Sequence, residues 1–292
     1  MTSSKKQSYF LIVVLAIIWG SSFILMKRAL ITYTPFQIGA LRILIAFLSM
    51  LPIILKQFRT IEKSKWKYLA ASGFLGNGIP SILFPLAETR ISSALAGMIN
   101  TLTPIFTFIV GILIFGMKGG VLRILGLAIG LLGAIIMIAG DTGDLVFTEV
   151  NNYALIVVLA AVCYAFSVNI LRYKLHDIDP VRLTAFALFF AGIPMGIILF
   201  SGDFVERTVM MPGSELSIFY IGILGLLSTA LSTIIFNKII KSSGALAASS
   251  VTYLIPVVAV LWGMFDDERL GLFHLLGLAA ILTGVYLINR KK

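Results

Sequence analysis

Asn77, Asn100, Thr103, Tyr164, Ser167 and Thr252 are neutral hydrogen-bonding residues set in stretches that are otherwise almost wholly apolar. Groups of this kind bind, by donating to and accepting from a ligand or one another, rather than moving protons or forming covalent intermediates. Their spacing is helical. Ala96, Asn100, Thr103 and Thr107 fall at steps of four, three and four, which sets them on one face with Pro104 beside it. Asn77, Ser81 and Phe84 make a second stripe, and Thr229, Thr233 and Asn237 a third. Ser249, Thr252 and Pro256 repeat the Asn100 face, with Tyr253 beside Thr252, and the pair Trp19–Ser22 recurs as Tyr164–Ser167. Interhelical hydrogen bonds, and hydroxyls bonded to their own helix, would account for any one of these residues. A buried asparagine in hydrocarbon needs partners from neighbouring helices or from water, and the recurrence of the stripes favours a cavity for the set.

Two charges stand apart. Arg42 lies six residues beyond Phe36, about 9 Å along a helix, inside an apolar run. It is placed either to hold an anionic group such as a carboxylate or to snorkel to headgroups. Glu88 closes another apolar run, as a titrating group or as a cap on the short loop with Arg90. Enzyme chemistry has no constellation here, and no catalytic residue, cofactor or metal site is expected. The two histidines, His176 and His274, sit at the edges of apolar runs, and Cys163 is the one cysteine. Gly111–Lys118 spells G-x-x-x-x-G-x-K, which lacks the ending of a phosphate-binding loop and lies in an apolar run.

The elements that must position these residues are membrane helices. Of 292 residues, 59% are hydrophobic and 12% charged, about half the charge of a soluble domain. Ten spans are expected, at 9–27, 36–55, 67–87, 92–115, 121–139, 153–171, 182–201, 216–236, 244–265 and 271–289. The first, Tyr9–Met26, ends in Lys27–Arg28 without a small-residue cleavage site, so it reads as a span and not a signal peptide. Placed alternately across a bilayer, the loops put 17 lysines and arginines on one side and five on the other. That bias sets both termini in the cytoplasm and explains the net charge of +10 without a nucleic-acid partner.

The chain repeats itself. At a shift of 151, Ser92, Ala94, Leu95, Ala96, Gly126 and Gly133 match Ser243, Ala245, Leu246, Ala247, Gly277 and Gly284, and Pro104 matches Pro256 with one residue of slip. At a shift of 145, Trp19 meets Tyr164, Ser22 meets Ser167, Lys27 meets Arg172 and Pro35 meets Pro180. The unit is five helices, an odd number, so the halves enter the membrane from opposite sides. The expected organisation is a first repeat over 1–140, an acidic external linker over 141–152 and a second repeat over 153–292. Pro80, Pro104 and Pro256 mark kinks, either moving hinges or static curvature. Glycines in the fifth and tenth helices (Gly126, Gly130, Gly133, Gly277, Gly284) suit close packing, with a homodimer as their other use.

The stretches IIWGSSFILMKRAL, PFQIGALRILIAFL, SALAGMINTLTPIFT and LGLAIGLLGAIIMI, with the second copies GALAASSVTYLIPVVAVLWGMFDDERL and LGLAAILTGVYLI, resemble the EamA-type transporters of the drug/metabolite transporter superfamily over the whole length. The resemblance implies a secondary carrier of the cytoplasmic membrane that exports amino acids or related small metabolites by alternating access. Its cavity would lie between the halves, lined by helices 1, 3, 4, 6, 8 and 9. Substrate would meet Trp19, Asn100, Tyr164 and Thr252, with Ser22, Asn77, Thr103, Ser167 and Tyr253 around them and Arg42 on a carboxylate. A non-transporting scaffold or receptor, and an importer on the same fold, are the alternatives. One departure stands out: the second half keeps an acidic turn at Asp267–Glu268 where the first has Met117–Lys118.

Overall fold

The computed structural model describes the backbone of residues 3–139, 149–249 and 251–290, and the side chains of 10–139, 152–241 and 251–290. The expected linker falls mostly outside these residues, as does the side chain of Ser249. Among the described residues there is no strand. The long helices are α1 Ser3–Ala29, α2 Pro35–Gln57, α3 Lys63–Glu88, α4 Ser93–Leu113, α5 Val121–Ala139, α6 Glu149–Lys174, α7 Pro180–Phe200, α8 Ser214–Lys241, α9 Val251–Phe265 and α10 Leu272–Asn289, with a short helix at Phe204–Met210 between α7 and α8. Nine of them are long and apolar enough to cross a membrane; α9, with 15 residues, is shorter. It starts later than the expected span at 244, because helical backbone continues from α8 past Lys241 to Ser249. Large apolar side chains such as Phe10, Ile17, Leu132, Ile197 and Phe219 are exposed on the outside of the bundle. Exposed apolar surface on this scale is what a lipid-facing wall requires, and the chain is an integral membrane protein.

Local sequence starts the helices. Thr34 caps α2, accepting from the Gln37 amide while Gln37 accepts from the Thr34 amide, and Pro35 takes the first helical position. Asp179 and Pro180 do the same for α7, with Asp179 accepting from the amide of Val181 at 3.0 Å. Ser92 caps α4 through the Leu95 amide.

Three irregular turns break the helices that face the centre. A π turn spans Phe74–Gly78 in α3, a 3-10 turn spans Asn100–Leu102 in α4, and a π turn spans Leu224–Leu231 in α8. Pro80 and Pro104 each follow one of these turns at the start of regular helix, where a missing N–H costs little. Pro256 lies inside α9. The π turn of α8 contains no proline. Its carbonyls are met by hydroxyls five residues on, Thr229 donating to Leu224 at 2.9 Å and Ser232 to Leu227 at 2.7 Å.

The most extensive packing is between α5 and α10, then between α2 and α7. Helix α1 packs on α9 and α8, while α6 packs on α4 and α3. Glycine makes the α5–α10 crossing. A Cβ on Gly126 would stand 2.7 Å from the Gly284 carbonyl oxygen, and one on Gly277 would stand 2.6 Å from that of Gly133. Both glycine faces are thus packed against each other within one chain.

Candidate functional site

Eight helices, all but α5 and α10, surround a central cavity of about 160 Å³. Nine of the ten residues singled out by sequence line it: Trp19, Ser22, Arg42, Asn77, Asn100, Thr103, Tyr164, Ser167 and Thr252. Tyr253 does not. It lies one residue, about 100°, round the helix from Thr252, and its hydroxyl pairs with Asn289 at the end of α10. The stripes extend as expected to Ser81 and Phe84 of α3 and to Thr229, Thr233 and Asn237 of α8. Unforeseen lining comes from Leu183 and Ala187 of α7, and from Ser72, Ser228, Met26 and Phe236.

The hydroxyls divide their two functions. Ser22 donates to the Trp19 carbonyl at 2.5 Å, Thr103 to Asn100 at 2.8 Å and Thr107 to Thr103 at 2.7 Å, so their protons serve the helix. Across helices, Ser72 and Ser167 lie 3.1 Å apart, the Trp19 indole donates to the Ser228 carbonyl at 3.0 Å, and Asn237 donates to Thr184 at 3.2 Å. Among the described residues, the Asn77 amide and the Tyr164 hydroxyl have no hydrogen-bond partner and are free for a ligand. Aromatic rings close one wall: Trp19 meets Phe236 edge-on at 5.2 Å, and Phe84 stacks on Tyr164 at 6.0 Å.

Arg42 turns inward. It is 9% exposed, its Nε donates to Thr229 Oγ1 at 2.7 Å, and one Nη lies 3.6 Å from Met26 Sδ. Thr229 can accept this bond because its own proton goes to Leu224. The guanidinium does not snorkel, and it has no carboxylate partner among the described residues.

Charges gather at the two ends of the bundle. At one end Lys27 of α1 bonds Asp266 and Glu268, at 2.6 Å each, and Arg28 pairs with Asp266. Glu268 also accepts from the Ser93 and Ala94 amides and the Ser93 hydroxyl, at 2.9–3.0 Å, at the N-terminus of α4. Burial pushes the Glu268 carboxyl upward, but Lys27 and these donors outweigh it and hold the group below the usual carboxylate range. Nearby, Gln37 and Arg207 both bond Asp203. Glu88 belongs to this end as well. It is buried with neither oxygen bonded, so it does not cap the loop with Arg90. At the opposite end Lys65 bonds Asp177 at 3.0 Å and the Lys174 carbonyl at 3.1 Å. The Lys27 cluster joins residues about 240 positions apart, a pairing that no local spacing in the sequence signals.

A bundle of membrane helices around a polar, aromatic-walled cavity, into which Arg42 turns, has the form of a small-molecule carrier. The chain belongs to the EamA-like transporter family, which matches residues 6–139 and again 151–290. It is 26% identical to an uncharacterized transporter of Archaeoglobus fulgidus over 94% of this chain and 95% of that protein. It is 27% identical to the uncharacterized transporter YdfC of Bacillus subtilis, over 92% and 86% of the two. The uncharacterized inner membrane transporter YedA of Escherichia coli is also 27% identical, over 95% and 89%. A solved crystal structure superposes with a TM-score of 0.61 over 97% of this chain and 96% of that one; at 15% identity the likeness is one of fold.

Proposed function

We propose that the protein is a secondary transporter of the cytoplasmic membrane that exports amino acids or related small metabolites by alternating access. In this reading two five-helix repeats, 1–140 and 153–292, lie inverted in the bilayer with both termini cytoplasmic and 141–152 as an external linker. The pairing of helices supports it, because exchanging α1–α5 with α6–α10 turns each main contact into another: α1–α9 becomes α6–α4, and α1–α8 becomes α6–α3. The matching π turns of α3 and α8 support it too.

The observation that carries the substrate class is Arg42, a buried guanidinium that faces a cavity of amide and hydroxyl groups without a carboxylate of the protein's own. A ligand carboxylate would complete it, while Asn77, Asn100, Tyr164 and Thr252 meet the ligand's remaining polar groups and Trp19 and Phe236 its apolar part. The test is a screen of cells with and without the overproduced protein, scored for resistance to amino acids and analogues and for released metabolites. Selective resistance with raised extracellular product is expected. Arg42→Gln should weaken binding about 10- to 100-fold, the worth of one charge-assisted bond of about 1.5–3 kcal/mol. Unchanged transport in both Asn100→Ala and Thr252→Ala would rule out this cavity as the substrate site.

A further inference from the structure

Glu88 is the buried acid that the substrate cavity does not use. It is the last residue of α3, 6% exposed, and neither carboxyl oxygen has a hydrogen-bond partner. One helical turn earlier on the same face, Phe84 lines the central cavity. On its other side Glu88 borders an open recess formed with Lys27, Tyr33, Thr34, Thr89 and Arg207. Glu88 thus lies on the cavity-facing stripe of α3, at the edge of the recess.

The charged groups that face it come from several elements. Lys27 of α1, Arg42 of α2 and Glu268 after α9 are near enough for their fields to reach it. Tyr164 of α6 stacks on Phe84, and Tyr33 and Arg207 belong to the recess. None of these neutralises Glu88 by contact. Lys27 is engaged by Asp266 and Glu268, and Arg42 by Thr229. An ionised carboxylate buried without a hydrogen bond, near a second carboxylate, is strongly disfavoured because nothing replaces its lost hydration. Taking up one proton removes that charge.

We propose that Glu88 is the proton-binding site that couples transport to a proton gradient. One proton adds to the carboxylate in the present conformation. That proton enters from the recess beside Lys27 and Arg207 and leaves through the central cavity when the cavity opens to the opposite side of the membrane, so it moves opposite to the exported substrate. The coupling rests on the transporter reading of the central cavity; the proton site itself does not.

Two measurements on the full-length protein in lipid vesicles test this. The first is an infrared pH titration of the carbonyl band of protonated carboxylic acids, which needs no substrate. A titrating component is expected in the wild-type-minus-Glu88→Gln difference spectrum, where the chain's other carboxyls cancel, and it should return at a shifted frequency in Glu88→Asp. The second uses a radiolabelled amino-acid mixture as probe. Glu88→Gln should still exchange label at equal concentrations but lose accumulation driven by an imposed pH gradient. A difference spectrum with no titrating component overturns the proton site. Gradient-driven accumulation that survives, or loss of exchange together with accumulation, overturns the coupling. If the wild type moves none of the probe while the band titrates at Glu88, the proton site stands, and the transporter reading and the coupling fall for that cargo.

Discussion

After α4 the chain turns on Gly116, at φ 66°, and the Met117 amide donates back to the Gly111 carbonyl at 2.8 Å. After α9 it turns on Asp267, at φ 55°, and the Glu268 amide donates back to Gly263 at 2.9 Å. The backbone device is the same, and the side chain that follows it decides what each turn can hold. Glu268 reaches Lys27 and the start of α4, tying α1, α4 and α9 together with charge. Met117 packs its thioether over Gly111 beside Asn169, which itself donates to the Thr107 carbonyl at 3.0 Å. Arg172, at the position matching Lys27, has no acidic partner among the described residues and lies over Tyr173, 5.3 Å from the ring centre. One backbone plan thus carries an electrostatic fastening at one end and an apolar one at the other.

The largest expected effect is at Glu268. Its side chain is 4% exposed and takes four hydrogen bonds, so Glu268→Gln should cost about 2–3 kcal/mol. Denaturant or thermal unfolding in detergent would read this, and an unchanged midpoint would remove the asymmetry between the turns. Acid should act on the same group. Because folding lowers the Glu268 pKa, its stabilisation is full above the ordinary glutamate range, about pH 4.3, and is lost as pH falls through the lower folded value. The wild type should therefore lose more stability than Glu268→Gln on acidification; equal losses would contradict the assignment.

Met117→Ala should cost less, about 1–2 kcal/mol from lost packing, with no dependence on salt or pH. A salt-sensitive loss there would show that this turn too is held by charge. The smallest effect is expected for Asp177→Asn. The Lys65–Asp177 pair is solvent-exposed, and about 0.5 kcal/mol or less, vanishing in high salt, is the usual worth of such a pair.

Much of this architecture was legible because membrane helices announce themselves by length and hydropathy, and because helical spacing places a stripe without knowing its neighbours. Asn77, Ser81 and Phe84 were on one face by arithmetic, and they line one cavity. What arithmetic could not supply was the partner across the gap. Arg42 had two destinations of similar depth, and only the hydroxyl of Thr229, 187 residues away, separates them. Tyr253 was grouped with Thr252 by adjacency, although neighbours on a helix point in different directions. The acidic turn was read as the pair Asp267–Glu268, yet Asp267 supplies the left-handed backbone and Asp266 the second carboxylate. The π turn of α8 left no proline to betray it.

That turn, and its counterpart at Phe74–Gly78, bears on how the chain tolerates lost residues. An i→i+5 turn holds one residue more than regular helix needs. Removing a residue from Phe74–Gly78 would let α3 close into continuous helix while Ser81, Phe84 and Glu88 kept their faces. The same deletion elsewhere in α3 would swing everything beyond it by about 100°. The two irregular turns are thus the points in α3 and α8 where the lining can lose one residue and keep its register.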